Sequence, residues 1–352
     1  MSASARMEAV SSSRGDARHR PVTPCPVCGG RSGTTIYSVT SEVAARIFAP
    51  DLEEPLRREV QRSIERIWAG PSCDFVRCDQ CTFCYAEPFN PATPEFYASL
   101  YSATEAYAES KWEFERTMRA IETLVQSGRL AEFSLVDIGA GSGAFASRAS
   151  NAFSGIGRIL CTEYSESGRE QMRARGLTCL SGGLMDIDVV EFSHCFDILC
   201  LFQVLEHLAD VDAVFDRLSV LATDGAHLFI AVPNYQQRSY FDGHGFHEDM
   251  PPVHVARWNR RSLEIAAERH GWRVEEGELE PEPYSSKLKR FAWQFYIWDP
   301  GVRRLGRVRR RHVRRALRAT LIALFVLRSV PSVLDLRSRD MGTAYWVHLS
   351  RR

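Results

Sequence analysis

Lysine is nearly missing from this sequence. Of 44 basic residues in 352, only Lys111, Lys287 and Lys289 are lysine. The bias runs along the whole chain and reads first as the mark of GC-rich coding, so arginine content alone is no argument for nucleic-acid binding. Long apolar runs are missing as well. Leu321–Leu327, the longest near the C-terminus, is far too short to cross a bilayer. Residues 1–20 have no apolar core and include Glu8 and Asp16. That composition excludes a secretory signal and argues against a transit peptide, so a cytoplasmic protein is expected. No internal repeat is visible. The formal net charge is zero but uneven, because residues 301–352 carry fourteen arginines against Asp335 and Asp340.

Cysteine, by contrast, is plentiful. Ten thiols in a chain without an export signal suggest metal ligation rather than a disulfide framework. "CPVC" at 25–28 and "CDQC" at 78–81 give four soft ligands with the spacing of a zinc knuckle: Cys25, Cys28, Cys78 and Cys81. A closed four-thiolate site leaves no open coordination position, so this zinc is expected to be structural. Cys73 and Cys84 lie close by and are alternative ligands. Between the pairs, Leu52–Trp68 has helical apolar spacing, with Asp51 as N-cap.

Five segments follow. Residues 1–22 are expected to be a disordered tail, 23–90 a zinc-binding module with a helical insertion, and 91–283 the catalytic domain. Residues 284–340 are expected to form an arginine-rich helical insertion, and 341–352 the closing strand of the catalytic sheet. Within 91–283, strands ("FSLVDIG", "GRILCTE", "FDILCLF", "AHLFIAVP", "WRVEEGEL") alternate with helices. That alternation predicts an α/β Rossmann-like, doubly wound sheet. Asn259 and Gly271 bracket the last of those helices.

"LVDIGAGSGAF" (135–145) is a strand entering a glycine turn and then a helix, and Glu163 ends the next strand. An acid there accepts ribose hydroxyls. A dinucleotide site needs G-x-G-x-x-G for its pyrophosphate. Here Gly139, Gly141 and Gly143 run G-x-G-x-G with Asp137 just before them. That carboxylate suits a cofactor with an amine and no phosphate, namely S-adenosylmethionine.

"VDIGAGSGAF", Glu163, "FDILCLFQVLEHLAD", "DGAHLFIAVPNY" and "PPVHVARWNRRSLEIAAERHGW" occur in an order and spacing that resembles class I S-adenosylmethionine-dependent methyltransferases, in the group with a V-L-E-H motif after strand four. The resemblance implies seven strands with the last antiparallel. It implies that Asp137, Gly139, Ala140 and Gly141 surround the methionine moiety, that Glu163 holds the ribose, and that Leu184 walls the adenine. Phe202 and Gln203 would line the cofactor near the methyl, and Tyr97, Tyr101 or Tyr107 would close over it. Cysteine pairs ahead of the catalytic domain also resemble the sugar C-methyltransferase subset. Thr82 departs from that pattern where a glycine is usual, and the subset's extra C-terminal domain has no counterpart.

Methyl transfer needs in-line alignment and, for a protonated nucleophile, a base. His254 and His207 lead the candidates, followed by Glu206 and Tyr235; Glu206 could equally anchor the helix after it. Some relatives with E-x-x-E-H at this place bind a divalent metal, but Gln203 replaces the first glutamate, and a neutral amide is a poorer ligand, which disfavours a metal here. His244 and His247 could belong to a lid. The absence of an N/D-P-P-Y/F motif after strand four disfavours a base amine as acceptor. A small molecule, nucleotide sugar or glycan precursor is the expected substrate, methylated on carbon or oxygen. The alternatives are an RNA methyltransferase and a non-catalytic zinc-dependent scaffold. Residues 302–334 fit an anionic membrane surface, a phosphorylated ligand or RNA, or simple packing on the sheet.

Overall fold

The computed structural model describes residues 11–12, 19–49, 52–100, 108–243, 249–287, 312–313, 316–317, 320 and 340–352. The arginine-rich segment, Asp51, Tyr101, Tyr107, His244 and His247 lie wholly or largely outside them.

The described strands form two sheets. The first holds β1 (Ser11–Ser12), β2 (His19–Pro21), β3 (Ser32–Thr40), β4 (Ser72–Cys78) and β5 (Cys84–Glu87), all paired antiparallel. The boundary drawn at residue 22 therefore falls inside this sheet, because β1 and β2 both pair with β3. Helices α1 (Ser41–Phe48) and α2 (Glu54–Trp68) form the insertion between β3 and β4. Pro55 occupies the first turn of α2, where its missing N–H costs nothing, and no side chain caps the helix. Val60, Ile64 and Trp68 turn inward at helical spacing to join Val43, Phe75 and Phe96 in one apolar cluster.

The second sheet runs β12–β13–β10–β9–β6–β7–β8. These are β6 (Phe133–Ile138), β7 (Ile156–Glu163), β8 (Thr178–Ser181), β9 (Phe196–Phe202), β10 (Ala222–Pro233), β12 (Trp272–Leu279) and β13 (Ala344–Arg351). β13 is antiparallel to both neighbours, and the pairs among β6 to β10 are parallel. Ile198, Leu199, Cys200 and Leu201 are all buried, as a strand covered on both faces requires. The expected α/β architecture, with seven strands and an antiparallel last strand, is the one observed. β8 is short and partly exposed, and its sequence "TCLS" carries no apolar run to announce it.

The two sheets are not separate bodies. β11 (Ala256–Arg257), from the loop after β10, adds itself to β5 of the first sheet. One core runs through both, joining Val27, Cys81, Phe83 and Tyr85 to Phe215, Trp258 and Leu263. The Phe83 and Trp258 rings lie 4.5 Å apart. A module ending at residue 90 is therefore too small a unit, since its last strand comes from the catalytic half.

Candidate active site

The glycine turn leaves the end of β6 and enters α5 (Ala144–Ala152). Gly139, Gly141 and Gly143 have φ of 68°, 59° and 74°, a conformation other residues enter at a cost. Ala140 lies between them, its N–H bonded to Thr162 O at 2.9 Å. A Cβ on Gly139 would stand 2.6 Å from the Val204 side chain, and one on Gly143 2.5 Å from Met172. Glu163 closes the turn, Oε2 accepting the Gly141 N–H at 2.9 Å and Oε1 the Ser165 N–H at 2.8 Å. Asp137 is buried beneath; burial pushes its carboxyl up to about 8, opposed by Lys111 and reinforced by Glu163. Gly168, which sequence reasoning missed, lets α6 (Glu166–Ala174) approach, since a Cβ there would meet Gly141 O at 2.6 Å. Leu184 is buried in a single turn after β8, whereas Tyr164, whose hydroxyl donates to Asp186 at 3.1 Å, is exposed.

Phe202 ends β9 with its ring against Phe114 and Phe145, at 5.3 and 4.8 Å. Phe114 belongs to α4 (Trp112–Gln126). Gln203 follows with φ of 59° and donates through Nε2 to Glu113 Oε1 at 3.3 Å. Glu113 is buried, and nothing in its helical setting marks it out in the sequence.

Glu206, His207 and His254 converge, each offering an atom within 4.8 Å of the others. The His207 and His254 rings are 4.6 Å apart and nearly perpendicular. His207 Nδ1 lies 2.7 Å from Val253 O and 3.0 Å from the Tyr97 hydroxyl. A carbonyl only accepts, so the Nδ1–H donates to it and Nε2 presents its lone pair toward Glu206 Oε1, 3.9 Å away. Burial holds both histidines below their ordinary range, His254 well below, with His207, Arg238 and Arg257 adding to the effect there. Glu206 is 1% exposed, and neither carboxylate oxygen has a hydrogen-bond partner among the described residues. Burial, aided by Asp249 and Glu113, raises its carboxyl to about 8. Tyr235 stands apart, at the start of α9 (Tyr235–Gly243), with its ring against Tyr345 and its hydroxyl accepting from Gln236 at 3.3 Å. Its neighbour Asn234 is a structural residue, donating to Asp340 O and Gly342 O at 2.8 and 2.9 Å.

Cys25, Cys28, Cys78 and Cys81 also converge, Sγ to Sγ distances being 3.5 Å for Cys25–Cys81 and 3.6 Å for Cys28–Cys78. Four thiolates about 2.3 Å from one zinc sit roughly 3.8 Å apart, so the set fits that ion closely. Cys73 and Cys84 stand outside it, with their thiols on backbone carbonyls. Gly29 supplies φ of 72°, and a Cβ on Gly30 would stand 3.2 Å from Cys78 Sγ. Thr82, in the glycine position, keeps the left-handed conformation with φ of 62°. Its carbonyl and hydroxyl accept from Asn259 Nδ2 at 2.9 and 3.1 Å, which ties the knuckle to the catalytic half.

A parallel sheet with a glycine turn and an acid at its carboxyl edge, closed by an antiparallel last strand, defines a class I methyltransferase fold. Residues 105–276 match the family model described as a methyltransferase domain, and the protein is a methyltransferase. Among curated proteins none matches the chain. Solved structures it is similar to include an S-adenosylmethionine-dependent methyltransferase from Archaeoglobus fulgidus (15% identity, 68% of this chain and 92% of that one, TM-score 0.42). Another comes from Mesorhizobium loti (14% identity, 69% and 100%, TM-score 0.43). A third is a phosphoethanolamine N-methyltransferase from Haemonchus contortus (15% identity, 66% and 52%, TM-score 0.38).

Proposed function

We propose that the chain transfers the methyl group of S-adenosylmethionine to a carbon or oxygen of a small molecule, nucleotide sugar or glycan precursor. The observation that carries this is the Gly139–Gly141 turn closed by Glu163 over Asp137, with Glu206 and His207 following β9 and His254 brought to them from the segment after β10. Asp137 and the turn would receive the methionine moiety, Glu163 the ribose and Leu184 the adenine. His254, neutral at pH 7 because its pKa is depressed, would accept the acceptor's proton, with His207 and Glu206 shaping its surroundings. Tyr235 is left to position the acceptor. A structural zinc on Cys25, Cys28, Cys78 and Cys81 would hold the first sheet. Calorimetric titration with S-adenosylmethionine tests the cradle. Wild type should bind one equivalent, and Gly141→Asp should bind none, because it sets a carboxylate beside Glu163; unchanged affinity would remove the site assignment.

A divalent cation on Glu206, His207 and His254 is a second reading, favoured by the orphaned carboxylate oxygens of Glu206. His254 supplies the ligand that Gln203 fails to provide, and a carboxylate with two imidazoles is a chemically sound donor set. Such an ion would supply Lewis acidity toward an acceptor oxygen. Titration with Mn²⁺ followed by electron paramagnetic resonance should then show one site in wild type and none in Glu206→Gln. Equal binding by both proteins rejects this reading.

A further inference from the structure

A groove of about 470 Å³ opens where β4, β5, α9 and the helix α10 (Arg260–Arg269) meet. Among the described residues four arginines line it against a single carboxylate, Glu264. Arg257 forms the floor, fully buried, with its guanidinium committed to Asp242 and its face 4.7 Å from the Phe75 ring. Arg260 is held by Glu264 at 2.7 Å. Arg77 and Arg261 are both exposed on the walls. Neither has a salt-bridge partner among the described residues, so within that set the groove holds two uncompensated guanidiniums. Tyr235 and Ser239 also line it.

We propose that this groove seats the phosphate or pyrophosphate group of a phosphorylated acceptor, with Arg77 and Arg261 as its charged ligands. Guanidinium forks match phosphate oxygens in pairs, and two unpaired forks suit a group of two or more negative charges better than a lone carboxylate. The volume lies in the range of small-molecule sites, and a concave cleft of that size admits no nucleic-acid duplex. The α10 N-terminus is not the ligand, because Asn259 and Ser262 already cap it. Tyr235 is the second residue past β10 on the sheet's carboxyl edge, and Arg257 is three residues from His254. Arg257 and His254 share one loop, so on this proposal the rest of the acceptor would extend toward the Glu206, His207 and His254 cluster. The inference rests on the proposed methyl transfer only for that last step; anion binding stands without it.

The probe is inorganic pyrophosphate, titrated into the full chain by calorimetry beside S-adenosylmethionine. Wild type should bind one equivalent. The double variant Arg77→Ala/Arg261→Ala, whose residues are exposed, should bind at least tenfold more weakly while its cofactor affinity stays within twofold. Pyrophosphate binding that is absent in wild type, or equal in both proteins, overturns the proposal. A missing cofactor response with intact pyrophosphate binding instead counts against the methyl-transfer reading alone. Two further arms separate the sources of the phosphate. Tighter binding of uridine diphosphate than pyrophosphate indicates a nucleotide-linked acceptor, and arginine-dependent sedimentation with phosphatidic acid vesicles indicates a lipid-linked one.

Discussion

The two sheets reach order by different means. The seven-stranded sheet rests on central apolar strands buried on both faces, and the turn proposed to cradle the cofactor is backbone bent by glycine. The first sheet has an apolar cluster on its insertion helices and carries its thiols at one end, where a bound ion would fasten the loops together. They meet through one continuous line of backbone bonds. β5 pairs with β11, Ala86 N donates to Val255 O at 2.8 Å, and Val255 N donates to Glu206 O at 3.1 Å. On the proposed assignment the cofactor cradle belongs to one sheet, while the backbone bond between Val255 and Glu206 ties the His254 loop to the other. Separate perturbation of the two sheets should separate cofactor binding from turnover.

The largest expected effect is at the knuckle. Cys28→Ser should remove a zinc content of about one per chain and cost several kcal/mol of stability, since metal binding and folding of such sites are coupled. If the comparison holds, S-adenosylmethionine affinity should change by less than about threefold at a temperature where the protein stays folded, while turnover collapses. Equal loss of both would mean that the sheets form one indivisible unit. Metal analysis, calorimetry and initial rates on the same preparation decide between these outcomes.

Next comes the point of contact. His254→Ala should lower turnover by roughly 10²–10⁴, the usual contribution of a general base, and leave cofactor affinity nearly unchanged. Unaltered turnover would return His254 to tying down the loop between Met250 and Val255, whose bond to Met250 O is 3.1 Å.

Much of the seven-stranded sheet was legible because its signals are local. Alternating apolar runs, the glycine turn, Glu163, and the Asn259 cap each declare themselves within a few residues. The same holds for the two cysteine pairs. What escaped reading depends on distant pairing. β11 is two residues long and exists because β5 offers an edge. Thr82 looked like a departure from a glycine pattern, and only the fold reveals that it keeps the glycine's backbone and gives its polar atoms to Asn259. The His254–Glu206 juxtaposition spans 48 positions, and no periodicity encodes it.

A smaller effect should appear inside the seven-stranded sheet, away from its carboxyl edge. His227 Nδ1 and His348 Nε2 lie 3.0 Å apart in its core. Burial lowers both, His348 to about 4, with Arg129 disfavouring protonation of each and Glu275 favouring it; Asp197 also favours it at His227, and Arg116 opposes it at His348. A histidine held neutral in the fold and free to protonate near 6.5 when unfolded withdraws stability as pH falls from about 6.5 toward 4. The contribution at His348 reaches at most about 3 kcal/mol. The double variant His227→Phe/His348→Phe should flatten the acid limb of a denaturation series in that window by a measurable part of this amount. Because acid also releases thiolate-bound metal, the difference between variant and wild type is the informative quantity, and superimposable curves would clear the pair.

The finest test concerns the seam itself. Asn259 caps α10 through Oδ1, which accepts the Ser262 N–H at 3.0 Å, and reaches Thr82 through Nδ2. Asn259→Ser keeps a capping oxygen and removes only the donors to Thr82, so it should cost about 1–2 kcal/mol, the usual range for losing a buried hydrogen bond and orphaning its acceptor. Thr82→Gly works in the other direction. It relieves a left-handed threonine, worth on the order of 1 kcal/mol, loses the hydroxyl contact and keeps the carbonyl one, so its net effect should be close to zero. Combined in a double-mutant cycle, the two substitutions should be non-additive by about 0.5 kcal/mol or more. Additivity would mean that Asn259 and Thr82 merely lie together, and that β11 and the shared core, with Phe83 against Trp258, couple the thiolate knuckle to the Glu206, His207 and His254 cluster without this bond.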